Sequence, residues 1–143
     1  MAEFVPVDTA TAKQFLALNH YAVLAARKKD GTIQMTPVTS GIDAEGRAII
    51  SSRETAYKVR NLRRDAGASL CVFTSAFHGG GWVQINGRAA IISLPAALQS
   101  LKYLQRQVYG EHQDWSAFEQ RMERERRVII MITIDSVGPV RRG

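Results

Sequence analysis

The alternation of apolar and polar residues along this chain predicts about six β-strands, joined mostly by short turns. The first two strands, Tyr21–Arg27 and 32–39, flank Asp30-Gly31, a dipeptide that is typical of a tight hairpin. Pro37 near the end of the second strand indicates an edge or a bulge, because proline has no N–H to donate to a neighbouring strand. The remaining strands are predicted at residues 47–52, 68–74, 82–94 (with a bulge after Gly87) and 127–137.

The last predicted strand, RVIIMITIDSV, is apolar at almost every position. Such a pattern is typical of a strand that is buried on both faces or that lies at a subunit contact. We expect that one subunit cannot cover the apolar residues 128–134, and that a second copy of the chain covers them in a homodimer.

Three segments outside the centre of the chain predict helices. The first, Thr9–Leu18, is predicted to begin after the N-cap Asp8. Ser93 is the predicted N-cap of a helix that follows the fifth strand. The capping box Ser116-x-x-Glu119 predicts a further helix before the last strand.

Together with a short basic helix after the third strand, these elements predict an α+β fold. A small barrel is the economical arrangement, because it hides the edges of the sheet. The length of 143 residues suits one domain, 1–143, with a core of its own.

Composition narrows the classes of partner. A net charge of +6 implies an anionic partner, which nucleic acid, anionic lipid and a phosphorylated cofactor all satisfy. No apolar run reaches membrane-spanning length and the first residues lack a signal-peptide layout, so we expect no membrane insertion and a cytoplasmic location. Cys71 is the only cysteine, which excludes an intrachain disulfide and a cysteine-based zinc site.

The basic helix carries the strongest candidate for an anion site. Its apolar residues recur at every third position, 56, 59 and 62, and Ser52 or Thr55 is its predicted N-cap. Ser51, Arg53 and Lys58 lie near the same helix start, where free backbone N–H groups and the helix dipole favour an anion. These hydroxyl, guanidinium and ammonium groups predict a phosphate site, and a solvated cationic helix is the alternative interpretation.

No side-chain constellation predicts acid–base, nucleophilic or metal chemistry. His20, His78 and His112 lie in three unrelated segments without ligand spacing, so no metal site is predicted. The nucleophile elbow, the dinucleotide fingerprint and the P-loop are all absent from the sequence. If the chain is an enzyme, a bound cofactor supplies the reactivity and no side chain is catalytic.

Several motifs stand in a particular order along the chain: the hairpin, TPV at 36–38, KVRNLRRD at 58–65, ASL at 68–70, GRA at 87–89 and GEHQDW at 110–115. This order resembles the split β-barrel superfamily of pyridoxine-phosphate-oxidase-like proteins, which bind flavin or deazaflavin. GEHQDW, followed by RRVIIMITIDSV, resembles its actinobacterial branch that uses coenzyme F420. The resemblance implies a homodimer in which reduced F420 delivers hydride to a small-molecule substrate such as biliverdin, a quinone, or a nitro or enone compound.

The resemblance also implies roles for single residues. Lys58 matches the lysine that contacts the cofactor phosphate, and Asn61 matches the asparagine of the same helix. Ser51 and Ser52 match the strand end that contacts the ribityl-phosphate region. Trp82 lies near the position from which related proteins contact their cofactor on the neighbouring strand. The residues that match the strand along the tricyclic ring are Thr36, Pro37 and Val38.

Two departures from the family pattern concern cations and a loop. Many relatives carry an arginine where this chain has Ala56, and Arg53 is the candidate replacement from the preceding turn. The loop from His78 to Gly81 differs from that of typical relatives and is a candidate for reshaping the substrate side.

Three alternatives stay open at this stage. The first is an FMN-binding oxidoreductase of the same fold, because FMN shares a ribityl phosphate with F420. F420 carries an additional anionic tail, and its candidate partners are Arg53, Arg60 and Arg141-Arg142. A non-catalytic protein that binds or carries a cofactor, haem or fatty acid is the second. Nucleic-acid binding through the basic helix is the third and is disfavoured, because that helix lacks exposed aromatic residues for stacking.

Overall fold

The computed structural model of this protein describes residues 7–77 and 79–138. Its helices are α1 (Thr9–Leu18), α2 (Tyr57–Arg64), α3 (Leu98–Tyr109) and α4 (Trp115–Arg124). Its strands are β1 (Tyr21–Arg27), β2 (Ile33–Ile42), β3 (Ala48–Arg53), β4 (Gly67–Phe73), β5 (Trp82–Ser93) and β6 (Arg127–Gly138). The order of elements is the predicted one, although β2 continues three residues beyond its predicted end.

The six strands form a closed antiparallel barrel in the order β1-β2-β3-β6-β5-β4. Four of the six neighbouring pairs in this ring join strands that are consecutive in the chain, whereas the pairs β1–β4 and β3–β6 join strands that are distant in the chain. The predicted α+β fold with a six-stranded antiparallel barrel and flanking helices is therefore confirmed.

Strand β2 is not paired with both of its neighbours along its whole length. This strand pairs with β1 over its residues 33–39, but with β3 only over residues 40–42. Among the described residues, the first seven residues of β2 thus pair with β1 on one edge and with no strand on the other edge. Pro37 lies in this stretch, as its missing N–H predicts.

A bulge interrupts β5 at the predicted place. The register between β5 and β6 shifts between Asn86 and Gly87. A Cβ atom at Gly87 would overlap the backbone carbonyl of Thr133, so only glycine allows the two strands to approach this closely.

Two apolar clusters stabilise the fold. The first fills the barrel with inward-facing residues from every strand, among them Leu24, Leu70 and Ile130, and α1 contributes Leu16 to it. The second lies between the outer face of the barrel and helices α3 and α4. Its members are Ile49, Ala97, Leu101, Leu104, Phe118, Met122 and Ile129.

Strand β6 belongs to both clusters, because successive side chains of a strand point to opposite faces. Val128, Ile130 and Ile132 face the barrel interior, whereas Ile129 packs under α3 and α4. The prediction that β6 is buried on both faces is confirmed. The expectation that one subunit cannot cover residues 128–134 is wrong for 128–130 and 132, which are buried within this chain, whereas Met131 and Ile134 are half-buried.

Helix α3 is fixed to the barrel by one side chain. The Gln107 amide accepts a hydrogen bond from the backbone N–H of Ile42 at 2.8 Å and donates to the carbonyl of the same residue at 3.1 Å. Gly41 makes this approach possible, because a Cβ atom there would overlap Gln107 Oε1. The contact places α3 over the end of β2.

The helix caps were predicted with mixed success. Asp8 caps α1, with its carboxylate accepting from the N–H of Thr11 at 2.7 Å. The predicted serine and threonine caps of α2, α3 and α4 are wrong. Helix α2 begins after Ala56 and α3 after Ala97, both without a side-chain cap, because Ser52 and Ser93 belong to strands. Helix α4 is capped by Asp114 instead of Ser116.

Candidate functional site

A cleft of about 350 Å³ lies between the barrel and helices α2, α3 and α4. One wall is apolar and comes from the second core cluster, with Leu101, Leu104, Phe118 and Met122. Polar and charged side chains line the rest of the cleft. They are Ser51, Lys58, Gln105, Arg121 and Arg127, and Tyr109 closes one side.

The strands decide which predicted residues face this cleft. Because β2 has a free side here, its consecutive residues Pro37, Val38 and Thr39 all border the cleft. In β3, Ser51 faces the cleft, whereas Ser52 is buried on the inner face of the barrel. The Ser52 hydroxyl has no hydrogen-bond partner among the described residues. Of the two serines predicted together, only Ser51 can contact a ligand in the cleft, because they alternate across the sheet.

Lys58 lies in the first turn of α2 and is half-buried. Within the described part of the chain its ammonium has neither an ion pair nor a hydrogen bond. Burial lowers the pKa of Lys58, and the positive charge of nearby Arg127 lowers it further. The N-terminus of α2 also lacks a side-chain cap, which leaves its first N–H groups available for an anion.

Three arginines share one carboxylate beside Lys58. Arg127 donates to Glu125 Oε1 through Nη2 at 2.7 Å and Nε at 3.0 Å. The Arg53 and Arg121 guanidinium groups lie 3.5 Å and 3.7 Å from the same carboxylate. The hydrogen bond from Arg127 lowers the pKa of Glu125, as do the surrounding guanidinium charges. We call Arg53, Arg121, Glu125 and Arg127 the Glu125 cluster.

The charges of this region do not balance. Lys58 and the three arginines bring four positive charges against the single carboxylate of Glu125. Cations that are gathered and partly desolvated without matching anions repel one another, and a bound anion relieves that repulsion. The geometry therefore favours a ligand with at least one phosphate or carboxylate group.

A second cleft, of about 410 Å³, adjoins the first and shares Thr39 and Tyr109 with it. Tyr21 and Phe73 form an aromatic part of its wall, with their rings stacked at a centroid distance of 6.4 Å. His20 also lines it and donates from Nδ1 to the carbonyl oxygen of Ser40 at 2.7 Å. The two clefts together offer an anion site beside an apolar, aromatic surface.

The remaining predicted site residues lie outside the first cleft. Asn61 is buried on another side of α2, where its amide donates to Gln34 at 2.7 Å and accepts from Arg64 at 3.1 Å. Thr36 pairs with Leu24 of β1. Trp82 begins β5 opposite Phe73 and lines neither of the two clefts. Arg53 does not line the first cleft and belongs to the Glu125 cluster.

Arg121, Arg127, Gln105 and Tyr109 are site residues that the sequence interpretation missed. Arg127 lies directly opposite Arg53 because β3 pairs with β6. The alternation of β6 also placed Arg127 on the same face as Ile129, which was a usable signal. No comparable signal existed for Arg121 before the position of α4 was known.

Other predicted features are less central. Burial raises the pKa of the Cys71 thiol. Between residues 7 and 138, leaving out 78, no group of three acidic, histidine or cysteine side chains could hold a metal ion. No described helix is both long and apolar enough to cross a membrane. His78, Arg141 and Arg142 lie outside the described residues.

Comparison with known proteins agrees with this architecture. Residues 8–141 match the family model of pyridoxamine 5'-phosphate oxidase. Among solved structures, a conserved hypothetical protein, Rv2991 from Mycobacterium tuberculosis, is 21% identical with a TM-score of 0.77, and the alignment covers 96% of this chain and 86% of that one.

Two further structures share the fold. An F420 reductase is 19% identical, with a TM-score of 0.67 and coverage of 88% of this chain and 94% of that chain. HupZ of Group A Streptococcus is 14% identical, with a TM-score of 0.66 and coverage of 96% and 97%. Since the family model spans nearly the whole sequence, this protein belongs to the pyridoxamine 5'-phosphate oxidase family.

Proposed function

We propose that this protein is a reductase that uses F420H2, transferring hydride from the reduced deazaflavin to a small organic acceptor of the biliverdin, quinone, nitro or enone type. The observation that carries the proposal is the excess of positive charge around Lys58 beside an apolar cleft wall. The resemblance of GEHQDW and the neighbouring motifs to the F420-using branch supports this choice of cofactor, and so does one structural neighbour described as an F420 reductase.

The residues of the first cleft fit the phosphate of such a coenzyme. Lys58 and the uncapped N–H groups of α2 would bind the phosphate, because a charged donor and a helix N-terminus both favour an anion. The Ser51 hydroxyl would add a hydrogen bond from β3. Pro37 and Val38 would lie along the flat ring system on the free side of β2.

When bound, the reduced coenzyme supplies the hydride, so the protein's task is to hold two molecules together in a dry site. Leu101, Leu104 and Phe118 exclude water from one side of the cleft. The aromatic second cleft, which adjoins it at Thr39, is where we place the acceptor. Stacking between Tyr21 and Phe73 gives that cleft a flat apolar wall.

In this proposal no side chain is an indispensable acid or base. His20 is bonded to a backbone carbonyl, and His112 packs against the ring of Trp115 at a centroid distance of 5.5 Å. Alanine at His20, His78, His112 or Cys71 is expected to leave most activity. A loss of several thousand-fold at one of them, with the fold intact, would reveal acid–base catalysis.

A homodimer forms part of the proposal. The unpaired side of β2 carries exposed apolar residues, Ile33 and Met35. Tyr57 of α2 is exposed as well, so the expectation that this basic helix lacks an exposed aromatic residue is wrong. Exposed apolar side chains along a free strand edge are the kind of surface that a second copy covers. Light scattering at micromolar concentration tests this, and a mass near 15.8 kDa, that of one chain, would contradict it.

The direct test of function is a side-by-side fluorescence titration of the purified apo-protein with F420 and with FMN. We expect saturable binding of F420, followed by acceptor-dependent oxidation of F420H2. Tight binding of FMN with no binding of F420 would overturn the choice of cofactor. Binding of F420 without turnover of any acceptor class would favour a carrier over a reductase.

An FMN-dependent oxidoreductase is the second candidate. It is favoured by the match to the pyridoxamine 5'-phosphate oxidase family and by the fact that the Glu125 cluster and Lys58 can account for a ribityl phosphate alone. Arg60, a candidate for the tail of F420, lies over the ring of Tyr57 at 5.7 Å and does not line the first cleft. The same titration separates the two candidates.

A further inference from the structure

Glu125 contacts two arginines of the first cleft without lining the cleft itself. Arg121 and Arg127 line the first cleft, whereas Glu125 and Arg53 do not. Both oxygens of the carboxylate are engaged, Oε1 by Arg127 and Arg53 and Oε2 by Arg121. The carboxylate thus joins side chains from β3, α4 and β6 at one point.

The hydrogen bonds of Arg127 leave part of its guanidinium available. Glu125 uses the Nε–H and one N–H of Nη2. A guanidinium has five N–H donors in a fixed plane, so three remain for other acceptors. Two bonds on one edge hold the side chain in place, so the remaining donors belong to a fixed guanidinium that lines the cleft.

The backbone between these residues is unusual. Arg126 has φ +52°, in the left-handed region that residues other than glycine rarely adopt. Its N–H bonds to the Glu123 carbonyl at 3.1 Å, and its own carbonyl accepts from the N–H of Glu54 at 2.9 Å. The turn is therefore held at both ends, and it brings Glu125 and Arg127 together. Backbone strain of this kind is often retained at functional sites.

We propose that Glu125 is a positioning residue of the anion site, which aligns Arg127, and through charge Arg53 and Arg121, before the anion binds. Without it, the three guanidinium groups repel one another and Lys58, and must be gathered again when the anion arrives. The inference deepens the proposed function, since it concerns the phosphate of the same cofactor site. It also makes a separate claim about the binding of any phosphate group.

A carboxylate near an anion site can also act against binding, because it repels the anionic ligand. The two effects differ in sign. Positioning predicts that removal of Glu125 weakens phosphate binding, whereas competition predicts that it tightens binding. The sign of the change therefore decides between them.

The test uses Glu125→Ala, Glu125→Gln and, as a control of equal charge, Glu123→Ala. Glu123 is exposed in the last turn of α4, two residues before the C-cap Glu125, and has no ion pair among the described residues. The probe is inorganic phosphate, titrated by calorimetry into the full chain. We expect Glu125→Ala to weaken binding roughly 3- to 10-fold and Glu125→Gln to weaken it less, because its amide oxygen still accepts from Arg127. Glu123→Ala should match the wild type.

A second titration shows whether the effect acts on the phosphate. F420 is compared with the deazaflavin that carries only the ribityl chain, without phosphate and tail. We expect Glu125→Ala to weaken F420 and to leave the truncated compound unchanged. A general structural defect would weaken both, and the melting temperature of each variant checks the fold independently.

Each outcome bears on one claim. Tighter phosphate binding in Glu125→Ala or Glu125→Gln, beyond that of Glu123→Ala, would overturn positioning in favour of competition, and unchanged binding would overturn it outright. Absence of phosphate binding by the wild type would overturn the inference as well. If the wild type binds phosphate but neither F420 nor FMN, the proposed function fails while the Glu125 result still decides the role of this residue.

Discussion

The interior of the barrel and the cleft on its outer face are built from the same strands but are filled very differently. Leu24, Leu70 and Ile130 pack inside the barrel with almost no exposed surface. The neighbouring residues of β3 and β6 face the opposite side, where Ser51 and Arg127 line the cleft together with Lys58. There the single carboxylate of Glu125 accompanies four cations. The strands thus separate stability from binding by the simple alternation of side chains.

This comparison explains why the cleft tolerates its charge excess. The dry cluster inside the barrel and the second cluster under α3 and α4 supply apolar burial that does not depend on the cleft. A lysine such as Lys58, with a pKa lowered by burial, opposes folding while it is charged. Under the proposed function, a bound anion offsets this cost.

The largest expected effect concerns the barrel interior. Leu70→Ala is expected to lower the free energy of unfolding by about 2–5 kcal/mol, because it leaves a cavity in a fully packed core. Leu18→Ala is the same chemical change at a side chain that is 80% exposed, and should cost less than about 0.5 kcal/mol. Denaturant unfolding of both variants checks the pair, and equal losses would contradict the division between interior and surface.

In the cleft, the expected effect is on binding instead of stability. Lys58→Ala should weaken cofactor binding roughly 10- to 150-fold, since a charge-assisted contact contributes about 1.5–3 kcal/mol. The melting temperature should hold or rise slightly, because Lys58 has no ion pair in the described part of the chain. Turnover at saturating cofactor should survive.

Arg60→Ala is the matched control for Lys58→Ala. It removes a cation of the same helix that does not line the first cleft. Dissociation constants for both variants should differ clearly, with the larger loss at Lys58. Unchanged affinity in Lys58→Ala would show that the phosphate binds elsewhere, and would favour the interpretation of α2 as a solvated basic helix.

A smaller effect is expected where α3 docks on the barrel. Gly41→Ala should cost about 1–3 kcal/mol, because its methyl group would push Gln107 from the backbone of Ile42. Gly67→Ala is the control, since its Cβ would approach only the flexible Asp65 carboxylate at 3.3 Å. Thermal unfolding of both variants measures the difference. A loss for Gly67→Ala as large as that for Gly41→Ala would refute the docking argument.

The smallest expected effect is a pH dependence. In the folded protein Lys58 has a lowered pKa, so it loses its proton at a lower pH than in the unfolded chain. Its charge opposes folding below the folded-state pKa, and this opposition disappears as the pH rises toward the usual lysine range of about 10.4. Cofactor affinity of the wild type should fall over the same alkaline window.

Lys58→Ala provides the reference for that measurement. The dissociation constant of Lys58→Ala divided by that of the wild type is compared at each pH, because this ratio cancels any effect of the titration of the cofactor itself. We expect the ratio to shrink as the pH rises, because the wild type approaches the variant when Lys58 becomes neutral. A constant ratio up to the usual lysine pKa would show that burial does not shift the titration of Lys58.

Much of the fold could be predicted from local patterns. Asp30-Gly31 and the alternation around it predicted the β1–β2 hairpin, and Asp8 predicted the start of α1. The shift in register at Gly87 followed from the same reasoning. Each of these features depends on neighbours within a few residues, so short stretches of sequence carry enough information.

The candidate site could be predicted only in part. Lys58 and Ser51 were recognised from their place around a helix start, and both line the cleft. Ser52, predicted beside Ser51 as a cofactor contact, has its side chain buried inside the barrel, because proximity in sequence does not tell which face of a strand a residue occupies. The cap of α2 was wrong for a related reason, since the strand β3 retains Ser52 in its pairing with Val128.

What the sequence determined by itself, then, is the set of strands and helices, the hairpin turns and a cationic helix start. Only the tertiary structure decided that Arg127 lies beside Arg53, that α4 brings Arg121 and Glu125 to them, and that Pro37 faces an open side of β2. These contacts depend on the pairing of β3 with β6 and on the docking of α3 and α4. Such pairings join distant segments, and their free energy comes from the burial of whole faces, which no local pattern specifies.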